Sequence, residues 1–494
     1  MSPPSSARRL FDALAELPGL LALLAVLLLL AETVAPRLSY PFDLEWMEGG
    51  MLVHALRLQQ GLPLYTEPSA EWIPYIYPPL YPALIAAAAG ILPQDVLPLD
   101  YALARGISLL GTGLGALSLA LLLRRAGGGL GLCAGVAAAF LSTYDESGAF
   151  FDLVRADGLL IALIGGSLLA LQRRHLGLAG ALLVLAFLTK HSFALLGLPM
   201  LAWVARTQGR AGALRFALSS VLPALLATGA LQLWSEGWFL VYLLEVPASH
   251  GMVGPRALEA PLELVQALPV LAAAGVLAAI LLRWRAPAGT PGSERWLFGP
   301  FLLVLLVLVV LMRAHVGGYL NVLIPGFWGL ALGSGLLLAR LSQRLPRPSL
   351  SAGIGLLCLL QVGLGRWEPA IYQPTPADRE AGEALLERIR AVEGEVFMPH
   401  APWYPHLAGK QPSLPLIALM DLDHGGRMAD YLPRIDEAIA AQRWQLIVLA
   451  NTDFGHGIDE HYRRSERIRF TGRALMPKTG WQARPREIYL PRPR

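Results

Sequence analysis

The sequence predicts a mainly α-helical, polytopic membrane protein with a soluble α/β domain at its C-terminal end. Three observations carry this. Of the 494 residues, 55% are hydrophobic and only 15% charged, with a mean hydropathy of +0.50, outside the balance of soluble globular chains. Apolar runs of membrane-spanning length recur until Gly365, after which they stop and charged residues become frequent. Basic residues cluster in the short segments between the runs, a pattern that orients membrane helices and does not point to nucleic acid. The two cysteines, Cys133 and Cys358, both lie inside apolar runs. They supply neither a disulfide framework nor a thiolate metal site.

The first apolar run, 17–35, follows Arg8 and Arg9 and is not followed by a small-residue cleavage signal, so it reads as a retained signal anchor. Residues 36–100 then form the first outer loop. It opens with Asp43, Glu45 and Glu48 after Pro41. With Asp43 as a cap, the spacing of Leu44, Met51, Leu52, Ala55 and Leu56 predicts a short amphipathic helix on the membrane surface, ending at Gly61 and Pro63. Glu45 and Glu48 would share one face of it. Acids at a helix start are also favoured by the exposed amides and the helix dipole, whatever their function. The second half of the loop alternates prolines with Tyr65, Trp72, Tyr75, Tyr77 and Tyr81, and an interfacial aromatic belt accounts for some of these.

The run 78–92 covers about 22 Å of a hydrocarbon core about 30 Å thick, so an interfacial or re-entrant helix is expected there. Further spans are expected near 102–123, 128–143, 157–172, 176–190, 192–205, 216–235, 263–282, 296–312, 319–339 and 349–364, giving about eleven transmembrane helices. If 78–92 does not cross, then Arg8 and Arg9, Arg124 and Arg125, Arg173 and Arg174, Arg206 to Arg215, Arg283 to Arg295 and Arg340 to Arg347 all face one side. That side is the cytoplasm. The first loop, the 144–156 turn, Lys190, the 236–262 loop, Arg313 and the C-terminal region then face outward. Residues 366–494 read as a soluble α/β domain with strands at 395–399, 446–450 and 487–490 and helices at 376–392 and 428–442. It shows no phosphate loop or nucleotide fingerprint. Its histidines, His400, His406, His424, His456 and His461, fit no zinc spacing.

The acidic start of the first loop, G-L-P-L-Y at 61–65, Y-P-P-L-Y-P at 77–82, V-R-A-D-G-L-L at 154–160 and L-T-K-H at 188–191 together resemble a family. It is that of bacterial polytopic membrane glycosyltransferases related to dolichyl-phosphate-mannose protein mannosyltransferases and lipid A aminoarabinose transferases. The resemblance covers roughly the first 200 residues. His191 stands where a glutamine is expected, and an E-x-x-E pattern replaces the paired Asp-Glu. The resemblance implies a GT-C-like fold over residues 1–365 and transfer of a sugar, with inversion, from a polyprenyl-phosphate-linked donor. The acceptor would be a lipid, glycan or protein at the outer face of a bacterial inner membrane.

Such a transfer needs a base for the acceptor hydroxyl and positive charge for the departing phosphate. The base is expected among Glu45, Glu48 and Asp43, in that order, with the choice open. Donor-side candidates are Lys190, Arg155 and Arg313, with Tyr77, Tyr81, His191 and Tyr319; Arg105 is a weaker one. Arg155 can equally pair with Asp157 or Asp152, Lys190 can snorkel to the interface, and Arg313 can be an ordinary span end. No cofactor is required, although the acids can hold a divalent ion. The partners expected are the lipid-linked donor, membrane lipids and the acceptor. The alternatives are a transporter or flippase of lipid-linked saccharides, a related membrane polymerase or ligase of glycans, and a non-catalytic envelope glycan assembly protein.

Overall fold

A computed structural model describes residues 6–493 except 92, 94, 96, 97, 285–294, 424, 425, 452 and 453. Of the residues named above, Arg285 and His424 lie outside the described residues, as do the side chains of Arg8, Arg9 and Arg295. The longer helices are α1 (Ser6–Leu38), α2 (Glu48–Gln59), α3 (Leu80–Ile91), α4 (Tyr101–Arg125), α5 (Leu130–Leu141), α6 (Asp157–Gln172) and α7 (Leu176–Thr189). They continue with α8 (Gly197–Trp234), α9 (Gly254–Ala267), α10 (Pro269–Trp284), α11 (Arg295–Ala314), α12 (Ile324–Arg344), α13 (Pro348–Leu364) and α14 (Pro376–Arg390).

Each of the eleven expected runs falls on helix. By length and composition, five helices among the described residues suffice to cross a membrane, at Ala13–Leu38, Tyr101–Arg125, His191–Trp234, Trp296–Ala314 and Leu320–Arg344. Two bent pairs, Gly254–Ala267 with Pro269–Arg283 and Pro348–Leu364 with Pro369–Arg390, pass the same test jointly. The chain is thus a multi-pass membrane protein. The helices at 130–141, 157–172 and 176–189 are apolar but shorter than about 20 residues. They end or begin at the turns around Tyr144, Asp157 and Lys190, where polar side chains take over.

Helix α8 holds the two expected spans 192–205 and 216–235. Gly197 packs on Leu183 of α7, while Ser219 packs on Gly180 and donates to the Leu176 carbonyl. A straight helix would hold Gly197 and Ser219 about 33 Å apart. The left-handed Gly209 between them (φ 68°, ψ −169°) reverses the chain, so both halves lie against α7. Helix α3, with 12 residues, rises only about 18 Å, as does α5.

Three helices meet through glycines. α1 packs against α5 and α13, and those two against each other. A Cβ on Gly19 would stand 1.9 Å from the Gly131 carbonyl oxygen, one on Gly131 2.4 Å from the Glu16 carbonyl oxygen, and one on Gly355 2.8 Å from the Gly19 nitrogen. Without a hydrophobic driving force between helices in lipid, such close backbone approach is how they gain packing contacts.

The expected helix with Asp43 as its cap is corrected. Helix α2 begins at Glu48 after Met47, and residues 39–47 form an irregular turn, so Glu45 and Glu48 do not share a helix face. It does not lie open on a membrane surface either: residues 48–55 are all buried, packed against Trp72 and Tyr75 of the loop, Arg105 of α4, and Trp403 and Pro415 of the C-terminal domain.

That domain holds a four-stranded sheet in the order β1-β2-β4-β3, with β1 (Val396–Phe397), β2 (Leu446–Leu449), β3 (Tyr462–Arg467) and β4 (Glu487–Pro491). β1 and β2 are parallel and the other pairs antiparallel, with Ile447 opposite Tyr489 and Val448 opposite Ile488. β1, β2 and β4 are the strands the sequence predicts. β3 is an exposed edge strand, YRRSER, buried only at Tyr462, so it carries no apolar alternation to announce it. α14 begins at a capping box between Thr375 and Asp378, and the expected helix at 428–442 is confined to Pro433–Ala440 after a 3-10 turn.

The glycine contact yields a stability prediction. Gly19→Val should lower unfolding stability in detergent by about 1–3 kcal/mol or more through overpacking, whereas Gly113→Ala, with open space around it, should leave it unchanged or slightly raised. Thermal unfolding of the two purified variants beside the wild type decides this.

Candidate active site

The site is assembled around one arginine at the start of a membrane helix. Arg105 of α4 is fully buried. Its Nη1 donates to the carbonyls of Arg37 (2.8 Å) and Tyr40 (2.6 Å), its Nη2 to that of Phe42 (2.7 Å). The rest of the guanidinium grips Glu48, Nε to Oε1 at 2.9 Å and Nη2 to Oε2 at 2.7 Å. Glu48 also accepts from the backbone N–H of Leu44 (2.7 Å), Glu45 (3.3 Å) and Val154 (3.0 Å). Burial alone would raise its pKa, but Arg105 and these amides hold it below the ordinary glutamate value. Glu48 is therefore an ionised carboxylate saturated by protein donors.

The other acids are held differently. Asp43 accepts through Oδ1 from the Gly49 N–H (2.8 Å) and the Tyr101 hydroxyl (2.9 Å). Its Oδ2 is buried with no hydrogen-bond partner. Burial, reinforced by the charge of Glu48, pushes the Asp43 pKa well above the usual carboxylate range, against the opposing pull of those hydrogen bonds and of Arg105. Glu45 accepts from Arg155 Nη2 at 2.5 Å and the Met47 N–H at 3.3 Å. Burial raises its pKa too, with Arg155 opposing.

Arg155 pairs with neither Asp157 nor Asp152. Its partner is Glu45, 110 residues away, its side chain lies over the Phe150 ring, and its buried Nε has no partner. Asp152 instead takes Arg37 in a two-bonded pair of 2.6 and 3.1 Å and accepts from the Tyr144 hydroxyl. Asp157 takes Lys190 on one oxygen and the Asn321 amide (3.0 Å) on the other. Arg313 forks onto Glu263 at 2.9 and 2.7 Å and donates to the Gly318 carbonyl, so both edges of its guanidinium are occupied. Tyr81 is buried, with its hydroxyl between the Ala104 carbonyl and Ser108. Tyr77 is half-buried, and its carbonyl accepts from Tyr65. Tyr319 lies 5.5 Å from the Phe150 ring and is partly exposed, and His191 opens the 3-10 turn between α7 and α8.

Three residues outside the expected set complete the site's frame. Arg37 closes α1 on Asp152. His54 of α2 donates from Nδ1 to the Gly50 carbonyl and accepts the Tyr75 N–H on Nε2, which fixes a neutral ring; burial lowers its pKa to about 3. Tyr404, from the C-terminal domain, accepts the Asp43 N–H at 3.2 Å. Arg37 and Arg105 each sit at the end of a span opposite the end that carries its arginine pair, Arg8 and Arg9 for α1 and Arg124 and Arg125 for α4, out of step with the usual clustering of basic residues on one side. That displacement is the signal in the sequence that such arginines are paired and committed.

The C-terminal domain forms one wall of the site. Asp378 accepts from the Leu475 N–H and from Lys478 Nζ, both at 2.8 Å. The strap so anchored donates from the Lys478 N–H to the Leu44 carbonyl at 2.8 Å and lays Gly480 (φ 71°) against Glu45. Among the described residues, no group of three or more His, Cys, Asp or Glu side chains is arranged to hold a metal ion. Asp43, Glu45 and Glu48 are drawn apart by different protein donors.

The Arg105–Glu48 pair makes a prediction. Glu48→Gln keeps the shape but leaves a buried arginine unpaired, and should reduce stability by about 3–5 kcal/mol. Glu45→Gln, whose partner Arg155 reaches the site's edge, should produce a clearly smaller loss. Denaturation in detergent, followed by circular dichroism, separates the two.

No protein-family model and no curated protein sequence matches this chain. Solved structures are similar to it in fold. ArnT from Cupriavidus metallidurans bound to undecaprenyl phosphate superposes with a TM-score of 0.58 at 13% identity, over 95% of this chain and 97% of that one. The apo state of ArnT gives 0.57 at 13% identity, over 94% and 96%. The Archaeoglobus fulgidus oligosaccharyltransferase, tethered with an acceptor peptide containing the NVT sequon, gives 0.51 at 11% identity, over 88% of this chain and 68% of that one. At these identities the likeness is one of fold, and the chain has the GT-C-type membrane fold that its first-loop motifs imply.

Proposed function

We propose that this protein is a membrane glycosyltransferase that moves a sugar from a polyprenyl-phosphate-linked donor to a hydroxyl acceptor. We place it in a bacterial inner membrane with the site on the outer face, the N-terminus in the cytoplasm, residues 1–365 as the membrane-embedded catalytic unit and 366–494 as its outer domain. The observation that carries the reading is the unpartnered Asp43 Oδ2 in a cluster whose other named acids are all paired with cations, in a fold shared with a structure that holds undecaprenyl phosphate.

Asp43 is the base. Its Oδ1 is fixed by Gly49 and Tyr101, leaving Oδ2 to accept the acceptor's hydroxyl proton. Burial raises its proton affinity, which strengthens it as a base. The acceptor oxygen then bonds to the anomeric carbon as the sugar–phosphate bond breaks, in a single displacement that inverts that carbon. Arg155 offers its free Nε to the departing phosphate, and Lys190, bridged to the same region by Asp157 and Asn321, is the second cation. Glu48 organises the turn and takes no proton. Glu45 positions Arg155. Arg313, held by Glu263, lies outside the chemistry. No step of this scheme runs through a metal: Glu45 and Glu48 are each held by an arginine and backbone amides, and Asp43 Oδ2 is kept for the acceptor proton. A transporter would place its functional charges near the bilayer midplane, whereas these pairs gather at one end of the bundle, linked to the C-terminal domain.

Two tests follow. In proteoliposomes supplied with radiolabelled polyprenyl-phosphate sugars, Asp43→Asn should reduce transfer by about 10²-fold or more with elution from a sizing column unchanged. Loss in Glu45→Gln but not in Asp43→Asn would move the base to Glu45. Because a base must be deprotonated to act, the rate should fall as pH drops through a value above the ordinary carboxylate range and level off at higher pH. Treatment with EDTA should leave transfer intact; loss restored by a divalent ion would overturn the metal-free scheme.

A further inference from the structure

Where the strap of the C-terminal domain crosses the acidic turn, two tryptophans meet. The Trp46 and Trp481 rings lie 5.0 Å apart at 88°. Trp481 is 41% exposed and Trp46 half-buried. Both are next to the acids in the chain or in space: Trp46 follows Glu45, and Trp481 follows Gly480, where a Cβ would stand 3.0 Å from the Glu45 side chain. A third ring closes the corner. His400 lies 5.6 Å from Trp481, is itself 2% exposed, and has a buried Nδ1 with no hydrogen-bond partner. Trp403, whose Cβ packs against Gly49 beside Asp43, has a buried Nε1 in the same condition. Buried polar atoms left unpaired are costly, and two of them, in residues that pack on Trp481 and on Gly49, point to a polar ligand that completes them.

Resting on the transferase reading above, we propose that this corner is the acceptor subsite, built jointly by the first loop and the C-terminal domain, and that it takes an uncharged pyranose ring. Flat indole faces match the C–H face of a pyranose, while a few placed polar groups orient its hydroxyls, the usual division in a small-ligand site. Burial keeps His400 neutral, with a pKa of about 4, so it can donate to or accept from a hydroxyl. Lys478, the nearest cation on the strap, is taken by Asp378, and the corner borders Glu45 and Asp43. Arg155, the cation on Glu45, is assigned above to the departing phosphate, so an anionic sugar would meet carboxylates with no cation left for it. Trp46, Trp481, His400 and Trp403 are binding residues in this scheme, with Asp43 alone taking the proton. The competing role for the tryptophan pair is an interfacial membrane anchor.

The test is saturation-transfer NMR on the full-length protein in nanodiscs. The probes are methyl glycosides of glucose, mannose, galactose and N-acetylglucosamine, with methyl glucuronide as the anionic counterpart. Transfer to ring C–H protons of at least one neutral glycoside is expected, abolished by Trp481→Ala, retained by Trp481→Phe and weak for the glucuronide. In the transfer assay, Trp481→Ala should raise the acceptor KM roughly tenfold with the donor KM unchanged. No signal from any glycoside, or the same signal in Trp481→Ala, overturns the subsite. Glycoside signals with these dependences but no turnover from any lipid-linked donor leave the subsite standing and overturn the transferase reading. Unaltered acceptor KM in Trp481→Ala overturns the subsite while leaving the transferase reading intact.

Discussion

The structure depends on a guanidinium buried where a membrane helix begins. Arg105 ties three carbonyls of the 37–42 segment and the carboxylate of Glu48 to one point. A buried charge without partners is prohibitive, and a buried pair is tolerated when its remaining hydrogen-bonding capacity is filled. Here it is filled: all five guanidinium bonds go to the chain that must be shaped, and Glu48 takes three backbone amides besides. The irregular turn 39–47 is the consequence. It turns Asp43 back toward the Gly49 amide and sends Glu45 across to Arg155. Without that anchor, the acidic turn would have neither its conformation nor its place against α4 and the 144–156 turn.

Charge balance explains how the acids differ. Arg37, Arg105, Arg155 and Lys190 are matched to Asp152, Glu48, Glu45 and Asp157, and Asp43 is the fifth carboxylate with no cation in contact. Two of the pairs, at Arg37 and Arg105, are saturated by further hydrogen bonds and are structural. The pair at Arg155 is not, because Nε remains free. Burial, with the charge of Glu48 adding to it and no cation in contact, disfavours ionisation of Asp43 and raises its proton affinity, which gives a carboxylate its strength as a base. A phosphate arriving at Arg155 would draw on the one guanidinium whose bonding is incomplete.

Much of this arrangement was legible in the sequence, and the parts that were not share a cause. Apolar runs mark the helices because each run must meet lipid or core along its length. β1, β2 and β4 show because their residues are buried. The acidic turn, Arg155 and Lys190 stand out through their motifs. The partnerships do not. Arg155 and Asp157 are neighbours in the chain, yet the helix that starts at Asp157 carries that carboxylate to Lys190 and leaves Arg155 to Glu45. Arg105 looks like a span boundary until the carbonyls it gathers are visible, and those carbonyls belong to the backbone, on which side-chain identity is silent. The charged β3 was hidden for a related reason: it has no apolar period of its own.

The C-terminal domain changes what the acidic turn is. Exposed to water at a membrane surface, three carboxylates would ionise near their ordinary values, and none would be a stronger base than free acetate. Covered by Tyr404, Trp403 and the 475–481 strap, they fall into separate environments, and burial acts on each according to its partners. Glu48 is driven down by Arg105, while Asp43, with only a hydroxyl and an amide, is driven up. In the proposed scheme an acceptor approaches along the edge where the strap meets the first loop. That edge is where the chain places its exposed indole and its unsatisfied ring nitrogens. One wall therefore tunes the proposed base and, in that scheme, frames the approach to it, so that the membrane bundle and the C-terminal sheet act on the same acidic turn.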